Sequence, residues 1–238
     1  VTFILAGMVK GITGMGLPTV ALALLTATLG LEQAIVLMLL PSLLTNIWQS
    51  VQGGAFVTMV SRFKGLLLAL TVGIAFGAFL FRSIDVVWLS TLLGVLIVAY
   101  AAFGLLTPEI RIPRASERFW SIPIGLANGI LTGLTGSFVV PSVPYLRALE
   151  LSRSDFIQAM GIVFSLSTLI LLIMFARYEL IPRETVVPAV LALIPAFLGM
   201  WLGQKIRDRL SGRAFQVSTL LALLAIGLFI VYKSQFGG

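Results

Sequence analysis

Gly7-Met8-Val9-Lys10-Gly11-Ile12-Thr13-Gly14 returns 122 residues later as Gly129-Ile130-Leu131-Thr132-Gly133-Leu134-Thr135-Gly136. Both copies read G-x-x-x-G-[IL]-T-G. Past one inserted residue the match resumes at a spacing of 123, with Pro18, Thr19 and Val20 against Pro141, Ser142 and Val143. It continues with Ser42 and Thr45 against Ser165 and Thr168. A duplicated glycine-rich interruption inside a very apolar chain predicts a transporter built from two related halves.

Hydrophobic residues make up 59% of the 238 residues and charged residues 11%. Mean hydropathy is +1.09. A soluble domain carries about 25% charge, so the composition excludes one. The net charge of +7 does not point to nucleic acid. The basic residues sit in short loops between apolar runs, as in membrane proteins, and no basic stripe with interleaved aromatics exists. There is no cysteine and no histidine. Disulfides, thiolate metal sites and the commonest general base are therefore excluded, and no metal or other cofactor is expected. The chain begins at Val1, so an initiator residue or short leader is expected before it. The first apolar stretch carries the repeat motif and does not read as a cleaved signal peptide.

Crossing a bilayer core takes about 20 apolar residues. Six stretches meet this: 33–52, 65–82, 86–106, 155–176, 185–205 and 214–232. Residues 1–30 and 120–150 differ, because glycine, threonine and proline divide each into two apolar runs, with breaks over 11–18 and 133–141. Each flanking run has on the order of 12 residues, about 18 Å of helix and short of a full crossing. A broken stretch that crosses once gives parallel halves. One that enters and turns back gives inverted halves with three net crossings each.

Lysine and arginine favour cytoplasmic loops, which separates the two topologies. With inverted halves, one side holds eleven cations, Arg62, Lys64, Arg118 and Arg207 among them, and the other side four: Arg82, Arg177, Arg183 and Lys233. With parallel halves the split is eight against seven. The expected fold is an all-α polytopic membrane protein of two pseudosymmetric, inverted repeats, with both termini facing outward. Each repeat is a broken, re-entrant helical element plus three transmembrane helices. Residues 1–238 form a single membrane domain, with repeat one over 1–106, a polar cytoplasmic linker over 107–119 and repeat two over 120–238.

Backbone left unpaired in lipid is costly, so a broken helix is buried in protein or lines a wet cavity. The half-helices after Gly16-Leu17-Pro18 and Val140-Pro141 start with free N–H groups and partial positive charge. Proline suits a first helical turn, where its missing N–H is not needed. Two such ends meeting near the midplane would make an anion site. Thr13, Thr135, Ser137, Thr19 and Ser142 are candidate hydroxyl donors beside them, with Gly14 and Gly136 at the turns. Lys10 lies about 15 Å along a helix from Val1, and an intramembrane lysine costs about 3 kcal/mol unless it faces a cavity or partner. Its repeat counterpart is Thr132, so the cation is an addition to the duplicated pattern. A longer N-terminus that let Lys10 snorkel is the plainer alternative.

Asn46, Gln49, Asn128 and Gln158 are further polar residues at membrane depth. Asn46 and Gln49 share a helix face. Asn46, Gln49 and Asn128 are candidate substrate ligands, while hydrogen bonding between helices accounts for any single amide at least as well. Gly73, Gly77, Gly199 and Gly203 read as close helix contacts, and Pro41, Pro188 and Pro195 as kinks.

The doubled motif followed by proline, the eight apolar elements and the chain length resemble the sulfite exporter TauE/SafE family over nearly the whole chain. The resemblance implies a bacterial inner-membrane permease for sulfite or a related organosulfur anion, with the two breaks as its binding elements. The second copy departs at Gly136-Ser137-Phe138, where the first has Gly14-Met15-Gly16.

The nine carboxylates all fall in loops or at helix ends. No acidic residue or histidine is placed to carry a proton across the midplane. An anion leaving a negative interior gains about 2.3 kcal/mol per charge per 100 mV, so export is expected to be electrogenic and uncoupled. An importer of a sulfonate or other small anion, and a non-transporting scaffold subunit, are the competing readings. An intramembrane enzyme would need a base or paired buried carboxylates, which the chain lacks. The expected partners are a small inorganic or organosulfur anion and membrane lipid, with no nucleic acid. Homo-oligomerisation stays open.

Overall fold

The computed structural model describes residues 1–106, 110–206 and 212–237. Glu109, Arg207, Asp208 and Arg209, the first part of the 107–119 linker and the Arg213 side chain lie outside the described residues. Among the described residues the chain is helical without strands. Six helices or helix pairs are long and apolar enough to cross a membrane. They are α3 (Leu31–Val51), α5 (Lys64–Phe81), α6 (Val86–Leu106), α9 (Arg153–Arg177), the pair α10 (Arg183–Leu191) and α11 (Leu193–Ile206), and α12 (Gly212–Phe236). Each falls within a few residues of its expected span. The short apolar helices α1 (Thr2–Thr13) and α2 (Leu17–Leu29) flank the first break.

The structure adds local detail to these expectations. The span over 185–205 is present, and its helix is interrupted at Ala192, between Pro188 and Pro195, the two prolines expected to kink it. Proline removes an N–H and clashes with the carbonyl four residues earlier, so two prolines this close break one span into two helices. An additional helix, α4 (Phe56–Arg62), precedes α5 in a stretch outside the six expected spans. Both breaks are narrower than their motifs, because helix continues through Gly11 and Gly133 up to Thr13 and Thr135. The second break is also not flanked by equal runs. Helix α7 (Arg114–Thr135) has 22 residues and α8 (Ser142–Ala148) has 7. The first turns of α7 are polar, in Arg114-Ala115-Ser116-Glu117-Arg118. These are adequate helix formers after a proline N-cap, and reading apolar runs alone passes over them.

Two compact units emerge, and each draws on both sequence repeats. One comprises residues 1–41, 84–107 and 181–238, and the other 42–83 and 108–180, the division falling within α3. In the first unit α1 packs on α11, α2 and α12, and α12 packs on α6 and α2. In the second, α7 packs on α5, α8 and α9, and α9 packs on α5, α4 and α8. The second spanning element of each repeat, α5 or α11, thus lies against the broken helix of the other repeat, α7 or α1.

Glycine permits these pairings. In the first unit a Cβ on Gly11 would overlap the Met200 carbonyl oxygen and stand 2.9 Å from Gly203 Cα. In the second a Cβ on Gly129 would stand 2.9 Å from Gly73 Cα, and one on Gly77 3.0 Å from Gly133 Cα. Helix backbones in direct contact gain dispersion and close packing, which drive association where lipid removes the hydrophobic term. Gly73, Gly77, Gly199 and Gly203 are the close contacts expected of them.

The distribution of polarity is inverted relative to a soluble protein. Val72, Phe76 and Phe79 are exposed along one face of α5, and Val187, Leu191, Ile194 and Leu198 along α10 and α11. Asn46, Thr45, Ser42, Asn128, Thr132, Thr135 and Thr168 are fully buried. An apolar exterior with these polar side chains held inside suits hydrocarbon as the surrounding solvent.

Candidate anion-binding site

The first break belongs to the first unit. Helix α1 ends on Gly14, whose φ of 80° is left-handed and whose N–H bonds the Lys10 carbonyl at 2.8 Å. Glycine is the residue that enters this conformation without a Cβ penalty. Gly16 follows with φ 107°. Its carbonyl accepts the Val20 N–H at 2.8 Å and opens α2, with Pro18 in the first turn. The Thr13 hydroxyl lies 2.8 Å from the Val9 carbonyl and 2.6 Å from the Met15 carbonyl, and accepts the Met15 N–H at 3.2 Å.

The second break, in the second unit, repeats this geometry. Gly136 has φ 72° and its N–H bonds the Thr132 carbonyl at 2.8 Å. The Thr135 hydroxyl donates to the Leu131 carbonyl at 2.7 Å and accepts the Ser137 N–H at 3.2 Å. Thr13 and Thr135, Gly14 and Gly136 therefore do the same work 122 residues apart. Each threonine ties down the turn after its helix and keeps that helix end from fraying.

Beyond the turns the halves diverge. In the second break Thr132 Oγ1 donates to the Ser137 carbonyl at 2.9 Å. Asn128 Nδ2 reaches Thr132 Oγ1 at 3.4 Å, and Asn128 Oδ1 accepts the Ser142 N–H at 3.1 Å. One amide side chain thus spans from the end of α7 to the start of α8. The peptide between Val140 and Pro141 is cis. Ser142 is fully buried, and its hydroxyl has no partner among the described residues. In the first break the counterpart of Asn128 is Ala6, and that of Thr132 is Lys10. Lys10 is only 3% exposed, in the last turn of α1. The last turn of a helix lies at the negative end of its dipole. The position thus holds a hydrogen-bond donor in both halves, a hydroxyl in one and an amine in the other.

The remaining amides have other surroundings. Gln49 Nε2 donates to the Ile157 carbonyl at 2.8 Å. Gln158 Nε2 donates to the Ser50 carbonyl at 2.9 Å, and its Oε1 accepts the Ala55 N–H at 3.0 Å. These bonds lock the second half of α3 to α9. A Cβ on Gly161 would stand 2.6 Å from Ser50 N, so the two backbones are in contact there. Asn46 is fully buried one turn before Gln49. Tyr100, on α6, was not singled out in the sequence. Its hydroxyl reaches Met15 Sδ at 3.5 Å, beside the first break. A tyrosine this far from either end of an apolar span is below the interfacial depth where tyrosine is common, and that was its available signal.

The described carboxylates occupy first helical turns or loops, among them Glu32, Glu117, Asp155 and Glu184 in first turns. Among the described residues no three acidic, histidine or cysteine side chains come together as a metal site. Each break thus places polar side chains inside its own unit: Lys10 and Thr13 at the first, Asn128, Thr132, Thr135 and Ser142 at the second.

No curated protein and no solved structure matches the chain. The family model described as Sulfite exporter TauE/SafE matches residues 1–230. By this match and its apolar helices, the chain belongs to the sulfite exporter TauE/SafE family: it is a multi-pass membrane transporter for small sulfur-containing anions and not an enzyme.

Proposed function

We propose that the protein exports sulfite or a related small organosulfur anion across a bacterial inner membrane by an electrogenic, uncoupled, alternating-access cycle. The carrying observation is the duplicated break, with Thr13 and Thr135 bonded alike, beside a buried lysine on α1. Lys10, Thr13 and Gly14 from the first break, and Asn128, Thr135, Gly136 and Ser137 from the second, bind the anion. Asn46 adds an amide, and Gln49, held by Ile157, positions it. The repeats run inverted through the bilayer as parts of one membrane domain, with termini outside. The eleven-to-four division of cations supports that sidedness.

The driving force follows from charge. An anion moving out of a negative interior gains about 2.3 kcal/mol per charge per 100 mV, with no co-transported ion needed. The test is sulfite flux in proteoliposomes with an imposed potassium diffusion potential. Efflux should follow the potential and persist without a pH gradient. Flux that requires an inward proton gradient at zero potential would overturn the uncoupled cycle. Lys10→Met and Thr135→Val should each reduce flux and anion binding. If both variants transport as the parent does, the breaks are not the site.

A further inference from the structure

A polar cavity lies where α4 meets α5 and the first turns of α7, at the opposite end of α7 from the second break. Its volume is about 380 Å³, and Arg62, Lys64, Arg114, Glu117 and Arg118 line it. Arg62 and Glu117 satisfy each other in a bidentate pair, Nε to Oε1 at 2.8 Å and Nη2 to Oε2 at 2.7 Å. Glu117 is thereby spent, and its partner guanidinium is held above its ordinary pKa by that bond. Tyr145 buttresses the pair by donating to the Glu117 carbonyl at 3.0 Å. Lys64, Arg114 and Arg118 have no acidic partner among the described residues. Four cations and one carboxylate line the cavity, so among the described residues positive charge is in excess there.

The cavity is amphipathic along its length. Leu68, one turn beyond Lys64 on α5, and Ile122, one turn beyond Arg118 on α7, line the same space, and both are largely exposed. Phe119 and Trp120, which follow Arg118 on α7, are also exposed, with their rings edge to face at 5.6 Å. Aromatic side chains of this kind mark the depth of the lipid headgroups. Cations at the rim, interfacial aromatics beside them and apolar side chains further in match, in order, a headgroup, its glycerol region and its acyl chains. A soluble anion would use only the first of these.

We propose that this cavity is a binding site for the phosphodiester headgroup of an anionic phospholipid, held by Lys64, Arg114 and Arg118 with its acyl chains along Leu68 and Ile122. The bidentate geometry of guanidinium on phosphate suits the two arginines, and Lys64 adds a point charge. The site is separate from the transported anion, and the proposal does not depend on which anion that is. Arg62–Glu117 and Tyr145 act as the floor that holds α4, α7 and α8 around the headgroup.

The test is native mass spectrometry of the full chain in neutral detergent with phosphatidylglycerol or phosphatidylcholine of identical acyl chains. The parent protein should retain phosphatidylglycerol and lose phosphatidylcholine. K64Q/R114Q/R118Q should bind phosphatidylglycerol on the order of 100-fold more weakly, given roughly a fivefold contribution per basic residue near a membrane surface. The charge-conserving K64R/R118K should retain it. Millimolar inorganic phosphate should not displace it. Equal retention of both lipids by the parent, or undiminished phosphatidylglycerol binding by the triple variant, would overturn the proposal. Complete displacement by inorganic phosphate would also overturn it, since the cavity would then be a soluble-anion site. Should the triple variant fail to fold, the two-lipid comparison on the parent and on K64R/R118K still decides.

Discussion

Asn128 holds the two sides of the second break together: its Oδ1 accepts the Ser142 N–H at 3.1 Å while its Nδ2 reaches Thr132 Oγ1 at 3.4 Å. A helix interruption in a bilayer strands backbone groups on both sides. One buried amide supplies an acceptor to one side and a donor to the other. The first break has Ala6 at the equivalent place, so the two interruptions are closed by different means.

Asn128→Ala should therefore destabilise the protein by about 1–3 kcal/mol, the cost of leaving a buried N–H without its acceptor. Denaturation of the purified variant in detergent measures this. An unchanged unfolding midpoint would show that the amide does not hold the break.

Thr13→Val and Thr135→Val preserve shape and remove equivalent hydroxyls. Each should weaken sulfite binding by loosening the turn that the hydroxyl ties down, at about 0.5–1.5 kcal/mol for each bond lost. The losses should be similar in the two variants, because the bonds from Met15 N and Ser137 N have the same length, 3.2 Å. Concentration dependence of sulfite flux checks it, and a loss confined to one variant would show that the halves contribute unequally.

Gln158→Leu removes the clamp between α3 and α9 and strands the Ser50 carbonyl and Ala55 N–H. Stability should fall by about 1–3 kcal/mol or more. The substrate concentration for half-maximal flux should stay unchanged in the folded fraction. A shift in that concentration with stability intact would instead place Gln158 in substrate binding.

Gly133→Ala should be poorly tolerated, since its Cβ would lie 2.5 Å from Ala78 N and 2.6 Å from the Ile74 carbonyl oxygen on α5. Backbone cannot yield as a side chain does, and overpacking of this kind costs about 1–3 kcal/mol. Gly104→Ala is the control. Its Cβ would meet only Leu220 side-chain atoms, the nearest at 2.8 Å, which can rotate aside. Comparable thermal stability of the two variants would contradict the α5–α7 contact.

Much of the architecture was legible because it rests on local physics. Runs of about 20 apolar residues bounded by charge specify spanning helices whatever surrounds them. Gly14, Gly136, Pro18 and Pro141 mark the breaks because few other residues suit a left-handed turn or a first helical turn. The unequal lengths of α7 and α8 were less visible, because the polar first turns of α7 are helical without being apolar. The bonds of Gln49 and Gln158 between α3 and α9 were not legible, because Ile157 is distant in sequence from Gln49, and Ser50 and Ala55 from Gln158.

Partner choice among the glycine-bearing helices belonged to the tertiary structure alone. Gly7 and Gly11 on α1, Gly73 and Gly77 on α5, Gly129 and Gly133 on α7, and Gly199 and Gly203 on α11 all carry the same G-x-x-x-G spacing. Any two such faces can approach closely, so the motif announces a contact without naming its other member. In the folded chain α1 takes α11 and α7 takes α5, each helix pairing across the repeats. Which helices meet depends on the summed packing of many side chains distant in sequence, whereas a helix, a turn or a break is settled within a few residues of itself.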